Sequence, residues 1–109
     1  MGITRGLMPK YGRERVIDTP ISEHGYLSAS VGMALTGLRP VPELMFNDFI
    51  GFCFDALLGQ ASKMRYMFGG KAKVPMVVRT MHGAGASAAA QHSGTDLSPV
   101  SAIPTEADK

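Results

Sequence analysis

The sequence predicts an α/β fold, with a parallel sheet that carries helices on both faces and lacks part of its strands. Three short apolar runs alternate with two amphipathic stretches in the order strand, helix, strand, helix, strand. This order is typical of right-handed βαβ crossovers. The chain has 109 residues, 45% of them apolar, which suits one small domain.

The three predicted strands are short. They cover residues 16–18, 41–46 and 74–81. The last contains a nearly continuous apolar run, as expected for a strand buried on both faces. Three strands leave exposed sheet edges. We therefore expect residues 1–93 to form an incomplete domain from a longer subunit, followed by a polar, disordered tail at 94–109 that is rich in Ser, Thr, Pro and Asp.

The two predicted helices follow the first and second strands. One covers residues 22–36 and ends at Gly37, with an apolar stripe of Leu27, Val31, Ala34 and Leu35. The other covers residues 48–67, with Asn47 as its N-cap. Its stripe consists of Ile50, Cys53, Phe54, Leu57, Leu58, Ala61 and Met64.

Three segments meet at the predicted carboxyl edge of the sheet, where such folds bind ligands. They are residues 18–23, 46–49 and 81–93, and they contain His24, His82 and His92. Histidine spacing gives no zinc motif, so an acid–base role for one histidine is the simpler hypothesis. Glu23 is either a helix-start acid that favours the helix dipole or a functional carboxylate.

The glycine-rich segment 83–88 has two interpretations. It matches a dinucleotide-binding fingerprint, for which Glu106 would be the distant acid, although Glu106 follows no strand signal. A mobile loop beside a ligand fits the context better. Phe46, Phe49 and Phe52 fall largely outside the main helical stripe and can form a stacking platform, an interface or ordinary surface.

Composition excludes several classes of protein. The net charge of +2 is spread along the chain, so we predict no nucleic-acid and no membrane partner. A single cysteine, Cys53, on an apolar stripe predicts a buried thiol without a disulfide. We expect a cytoplasmic protein.

A series of motifs carries a family resemblance. Residues 18–23 read DTPISE, 34–40 read ALTGLRP, 60–70 read QASKMRYMFGG, 74–79 read VPMVVR and 91–93 read QHS. In this order they resemble β subunits of the thiamine-diphosphate-dependent 2-oxoacid and acetoin dehydrogenases, specifically the transketolase-like pyrimidine-binding domain.

The resemblance implies a role for each matching residue. Glu23 would hydrogen-bond the pyrimidine of thiamine diphosphate and promote proton removal from its thiazolium carbon. Phe49 would stack on the pyrimidine, Met45 would contact its edge, and His92 would face the substrate. The backbone carbonyl of Met76 would be one ligand of a potassium site whose other ligands lie beyond Ser93.

The resemblance also implies partners. An α subunit would hold the diphosphate and its magnesium in an α2β2 heterotetramer, and a lipoyl acyltransferase core would accept the product of a 2-oxoacid or acetoin. Alone, the chain would be inactive. Phe52 stands where the family often has a polar residue. Together with the missing strands, it motivates an alternative, namely a noncatalytic interaction module of the same fold that binds no cofactor.

Overall fold

A two-stranded parallel sheet and several helices make up the computed structural model, which describes residues 2–95. The helices before the sheet are α1 (Leu7–Tyr11) and α2 (Glu23–Leu35), and the strands are β1 (Glu43–Leu44) and β2 (Arg79–Thr80). Between the strands lie a 3₁₀ helix, a π-helix and α3. Their bounds are Asn47–Cys53, Asp55–Ala61 and Ser62–Met67. Two single 3₁₀ turns follow β2, at Ala84–Ala86 and Ala90–His92.

Helix α2 confirms its predicted position to within one residue at each end. Leu27, Val31 and Ala34 of the predicted stripe are buried, whereas Leu35 is exposed. The helix is closed by Gly37, whose φ of 95° suits glycine, and by the Leu38 amide, which donates to the Met33 carbonyl at 3.0 Å. The prediction of a helix at residues 22–36 that ends at Gly37 is therefore confirmed.

The core lies between α2, β1 and the helical segment 47–61. Its buried cluster consists of Leu27, Leu44, Ile50, Cys53, Ala56 and Leu57. Tyr26, Phe49, Met76 and Val78 pack against this cluster while remaining partly accessible. The predicted burial of Cys53 is confirmed. One contiguous cluster thus fixes α2 and the 3₁₀ helix relative to the sheet.

The predicted parallel pairing is also confirmed, although the strands are shorter than predicted. Glu43 pairs with Arg79, and Leu44 pairs with Thr80. Single backbone hydrogen bonds continue the contact before the strands, to the carbonyls of Pro40 and Pro42. Because a proline has no N–H group, it cannot donate to a regular ladder, which limits β1 at its start.

The predicted first strand at residues 16–18 is wrong within the described part of the chain. The Val16 amide donates to the Gly12 carbonyl at 3.0 Å in a turn, and residues 17–20 have no regular structure. A strand requires a neighbouring strand, and over residues 2–95 the sheet contains only β1 and β2. The apolar character of Val16 and Ile17 is therefore not sufficient to form a strand.

Residues 47–67 are helical, as predicted, but they do not form one regular α-helix. The segment passes from a 3₁₀ helix to a π-helix and then to α3. Asn47 is the first residue of the 3₁₀ helix, and the extended Phe46 is the N-cap in its place. Within residues 2–95, no helix combines the length and the apolar character needed to cross a membrane.

Gly51 and Gly59 lie inside the helical segment 47–67, where a glycine often marks close approach of another backbone. A side chain at Gly51 would meet no atom within 4 Å, and one at Gly59 would meet only the Asp55 side chain. Within the described chain, neither glycine is required by a neighbouring backbone. The predicted tail at 94–109 lies mostly outside the described residues and stays a prediction.

Candidate active site

The carboxyl ends of the two strands meet, as the parallel sheet predicts. The Asn47 amide, three residues beyond β1, donates to the Met81 carbonyl just beyond β2 at 2.9 Å. This bond brings the start of the 3₁₀ helix to the loop at residues 81–95. Met45 lies at this edge with 47% of its surface exposed. Two of the three predicted segments are therefore in direct contact.

Glu23 is the first residue of α2 and is half-buried. Its charge acts on two side chains of the core, Tyr26 and Cys53. Burial first, and then Glu23, raises the pKa of Tyr26 to about 12. The same two causes raise the pKa of Cys53 to about 11. The negative charge of Glu23 is therefore a cause, second to burial, of the raised pKa values of two poorly solvated core groups.

Cys53 links Glu23 to the predicted stacking residue. Its thiol lies 3.6 Å from the Phe49 carbonyl, one turn earlier in the 3₁₀ helix, and is directed to it as a weak donor. Because α2 packs on this helix, the acid at the start of α2 and the Phe49 ring belong to one packed unit. The position of Glu23 in the first helical turn also agrees with the dipole interpretation, so both roles remain compatible with its place in the fold.

Phe49 and His92 are brought together by the structure. Their ring centroids are 5.3 Å apart at an interplanar angle of 77°. Phe46 completes the cluster, with centroid distances of 4.4 Å to His92 and 5.8 Å to Phe49. Edge-to-face packing of this kind is favourable and directional. The half-buried imidazole is therefore held against the aromatic platform.

A hydrogen bond fixes which nitrogen of His92 carries its proton. Nδ1 lies 3.2 Å from the Ala88 carbonyl oxygen. A carbonyl can only accept, so Nδ1 must donate. In the neutral ring, Nε2 then has a lone pair that can take a proton or accept a hydrogen bond. His92 thus has the tautomer that a general base acting through Nε2 requires.

Sequence reasoning missed two contacts of this region. The Gly94 amide donates to the two carboxylate oxygens of Asp48 at 3.1 and 3.3 Å. The Tyr26 hydroxyl donates to the Glu43 carbonyl at 3.0 Å and ties α2 to β1. The only local feature of Asp48 is that it is an acid in a first helical turn. No local pattern could have revealed a partner 46 positions away.

The remaining candidates lie elsewhere. Met76 packs its side chain against the core, and its amide donates to the Val74 carbonyl at 2.9 Å. His24 and His82 are exposed. Over residues 2–95, no group of three or more His, Cys, Asp and Glu side chains is placed to hold a metal ion. The structure therefore gives no support to a histidine metal cluster among these residues.

The dinucleotide interpretation of residues 83–88 lacks its structural context. The fingerprint requires a glycine-rich turn that opens a helix, whose N-terminus then binds the pyrophosphate. Here the segment contains only the three-residue 3₁₀ turn Ala84–Ala86. Glu106 lies outside the described residues.

A comparison of the whole sequence identifies the protein family. The sequence profile described as transketolase, pyrimidine binding domain, matches residues 1–106. The chain belongs to this family. The match confirms the resemblance stated from the motifs and the predicted α/β class. The main elements of this pyrimidine-binding domain that the structure describes are α2, β1, the helical segment 47–67 and β2.

Curated relatives agree with the family match. The chain is 59% identical over 104 residues to the acetoin:2,6-dichlorophenolindophenol oxidoreductase subunit beta of Bacillus subtilis (strain 168), covering 95% of this chain and 30% of the relative. Identity to the protein of the same name in Cupriavidus necator is 57% over 93 residues, covering 85% of this chain and 27% of that relative. Identity to the pyruvate dehydrogenase E1 component subunit beta of Rickettsia felis is 44% over 102 residues, covering 94% of this chain and 31% of that relative. The chain therefore spans less than a third of the length of these relatives.

Proposed function

We propose that this chain supplies the pyrimidine half of a thiamine diphosphate site in the β subunit of a 2-oxoacid or acetoin dehydrogenase. One observation carries the proposal: the half-buried Glu23 lies on α2, which packs on the 3₁₀ helix that carries Phe49, and the Phe49 ring in turn contacts His92. The higher identity to the two acetoin oxidoreductase subunits supports acetoin as the substrate class.

The residues present fit a pyrimidine ring. A carboxylate in a poorly solvated setting can hold a hydrogen bond to a ring nitrogen, and an aromatic ring can stack on the pyrimidine face. Glu23 would supply the first contact, Phe49 the second and Met45 an edge contact. When bound, thiamine diphosphate supplies an electron sink for cleavage next to a carbonyl group.

His92 would act on the substrate side of the site. Its Nδ1–H group is held by the Ala88 carbonyl, so the proposed proton transfers run through Nε2. The contact with Phe46 and Phe49 restricts the ring orientation and excludes water from one of its sides. A restrained ring of this kind loses less entropy when it aligns with a reacting group.

Other parts of the assembly are proposed from the resemblance. An α subunit would hold the diphosphate and magnesium in an α2β2 heterotetramer, and the product would pass to a lipoyl acyltransferase core. The Met76 carbonyl would contribute one potassium ligand. The assembly would work in the cytoplasm, and the chain alone would have no activity.

Replacement of Glu23 tests the proposal directly. We expect Glu23→Gln, in the full-length subunit assembled with its α partner, to reduce substrate cleavage by about 100-fold or more, since proton transfer by a positioned group contributes roughly 10²–10⁴-fold. Glu14→Gln is the matched control, because Glu14 is an exposed glutamate in a turn before α2. The measurements are the cleavage rate and calorimetric titration with thiamine diphosphate.

The outcomes separate two functions. Saturable heat with wild type and loss of turnover only in Glu23→Gln support the proposed site. Equal turnover in both glutamine variants would exclude Glu23 from the chemistry. Absence of binding heat with wild type would instead favour the noncatalytic interaction module, which the 69% exposed Phe52 ring also motivates.

A further inference from the structure

The loop that carries His92 is held by hydrogen bonds to both backbone groups of one residue, Gly94. Its amide donates to the Asp48 carboxylate at 3.1 and 3.3 Å, and its carbonyl accepts from the Gly83 amide at 3.2 Å. The first bond ties the end of the loop to the 3₁₀ helix, and the second closes the loop on itself. Asp48 therefore anchors the loop at residues 83–94 to the 3₁₀ helix.

The anchor lies next to both rings of the candidate site. Asp48 directly precedes Phe49, and Gly94 comes two residues after His92. A hydrogen bond to a charged carboxylate is among the stronger kinds, and here both of its groups are partly buried. The bond consequently sets how closely the His92 ring can approach the Phe49 ring.

Gly94 is the residue type that this contact needs. A Cβ atom at position 94 would collide with Oδ1 of Asp48 and come within 3.1 Å of its Cγ. Any other residue would push the carboxylate away from the amide. The anchor therefore depends on the pair, not on Asp48 alone.

The loop also contains backbone that is unfavourable without such restraint. Ser87 and Ala89 have positive φ angles of 51° and 65° although neither is glycine. Conformations of this kind are unfavourable for residues with a Cβ atom and persist where surrounding contacts hold them. A loop in this state relaxes when an anchor is removed.

We propose that Asp48 is a positioning residue that holds the His92 loop against the Phe49 platform through the Gly94 amide. The inference deepens the proposed function, because it rests on His92 and Phe49 belonging to the active site. Asp48 itself would touch neither the cofactor nor the substrate. It would act only through the placement of the imidazole.

The test uses the full-length subunit assembled with its α partner and carrying Asp48→Ala, Asp48→Asn or Gly94→Ala. Hydrogen–deuterium exchange should speed up about 10- to 100-fold in residues 83–95 of Asp48→Ala, the fold-change that loss of a charged hydrogen bond gives. Exchange in α2 should not change. Asp48→Asn keeps one acceptor oxygen, so its effect should be smaller. Asp55→Ala is the matched control, because Asp55 is exposed in the same helical segment.

Turnover provides the second readout. We expect Asp48→Ala and Gly94→Ala to lower kcat about 10-fold or more, while the KM for thiamine diphosphate changes less than threefold, since the loop positions the imidazole. A purely structural role would instead raise exchange throughout α2 and the core. Unchanged exchange at residues 83–95 in Asp48→Ala would overturn the proposal. Faster loop exchange in a protein that binds no thiamine diphosphate would leave the anchor standing and reject the proposed function.

Discussion

Cys53 offers a probe of the buried side of the candidate site. Its side chain is fully buried, and burial together with Glu23 raises the thiol pKa to about 11 from the ordinary 9.0. A thiol whose pKa is higher in the folded than in the unfolded state stabilises the fold below the unfolded pKa. That stabilisation is lost as pH rises from about 9 to about 11, because only the unfolded chain ionises easily.

We therefore expect Cys53→Ala to flatten the pH dependence of stability. In wild type, the free energy of unfolding should fall between about pH 9 and pH 11, whereas the variant should show a smaller fall. Tyr26, whose pKa is raised to about 12 chiefly by burial, titrates in both proteins, although the Cys53 charge is a smaller cause of that rise and is absent from the variant. Urea unfolding at about pH 8 and again at about pH 11 measures the difference between the two proteins.

Glu23 provides the cross-check on this prediction. Its negative charge is the second cause of the raised thiol pKa, so Glu23→Gln should let Cys53 ionise at lower pH. Ultraviolet absorbance of the thiolate follows this directly. Parallel stability profiles for wild type and Cys53→Ala, or an unmoved thiol titration in Glu23→Gln, would contradict the placement of Glu23 beside Cys53.

At the scale of elements, the core packing of α2 and the ion pair between β1 and β2 differ greatly in strength. Leu27 is fully buried in the core cluster, whereas the Arg79–Glu43 ion pair, at 3.1 Å, keeps 40% and 28% of its side chains exposed. Deleting a buried leucine removes transfer energy and leaves a cavity. Breaking a partly solvated ion pair loses little, because water screens the charges.

Leu27→Ala should therefore destabilise the protein by about 2–5 kcal/mol, and Glu43→Gln by less than about 1 kcal/mol. Glutamine keeps the backbone carbonyl that accepts from Tyr26, so only the charge is tested. Urea unfolding of both variants gives the two values. Similar losses would mean that the ion pair between β1 and β2 contributes as much to stability as the core packing of α2.

The helical segment 47–67 shows what a residue pattern can and cannot specify. Its apolar spacings of three and four predicted helix correctly. The buried positions Asn47, Ile50 and Cys53 recur at a constant step of three, which matches the 3.0 residues per turn of a 3₁₀ helix. The π-helix that follows widens the turn before α3. Such changes of helix type depend on packing against α2, which sequence periodicity does not contain.

The candidate site could be predicted only in part for the same reason, because contacts between distant elements leave no local sequence pattern. Elements with strong local signals, such as α2 with its stripe and terminal glycine, could be predicted from the chain alone. The parallel pairing of β1 with β2 followed from their order. The strand at residues 16–18 could not be judged locally, since a strand exists only with a partner. The Asp48–Gly94 contact joins residues far apart in sequence and has no local signal.

At the scale of the whole molecule, the described surface is unusually apolar. Several large side chains are more than half exposed, and they are distributed over most of the chain. They include Ile21, Leu38, Val41, Phe52, Tyr66, Phe68 and Val77. Scattered apolar residues are ordinary, but many together mark surfaces that bind other proteins. A two-stranded sheet also provides little stability by itself.

We expect this surface to be covered when the proposed α partner binds. The full-length subunit alone should bind a fluorescent apolar dye and self-associate, and an equimolar α partner should reduce dye fluorescence severalfold, because association removes apolar area from water. Tyr66→Ser is a suitable variant, since Tyr66 is 85% exposed and its loss leaves the core intact. Its dye binding should fall even without the partner. Dye fluorescence that the partner leaves unchanged would show that these apolar groups serve a different surface from the α-subunit interface.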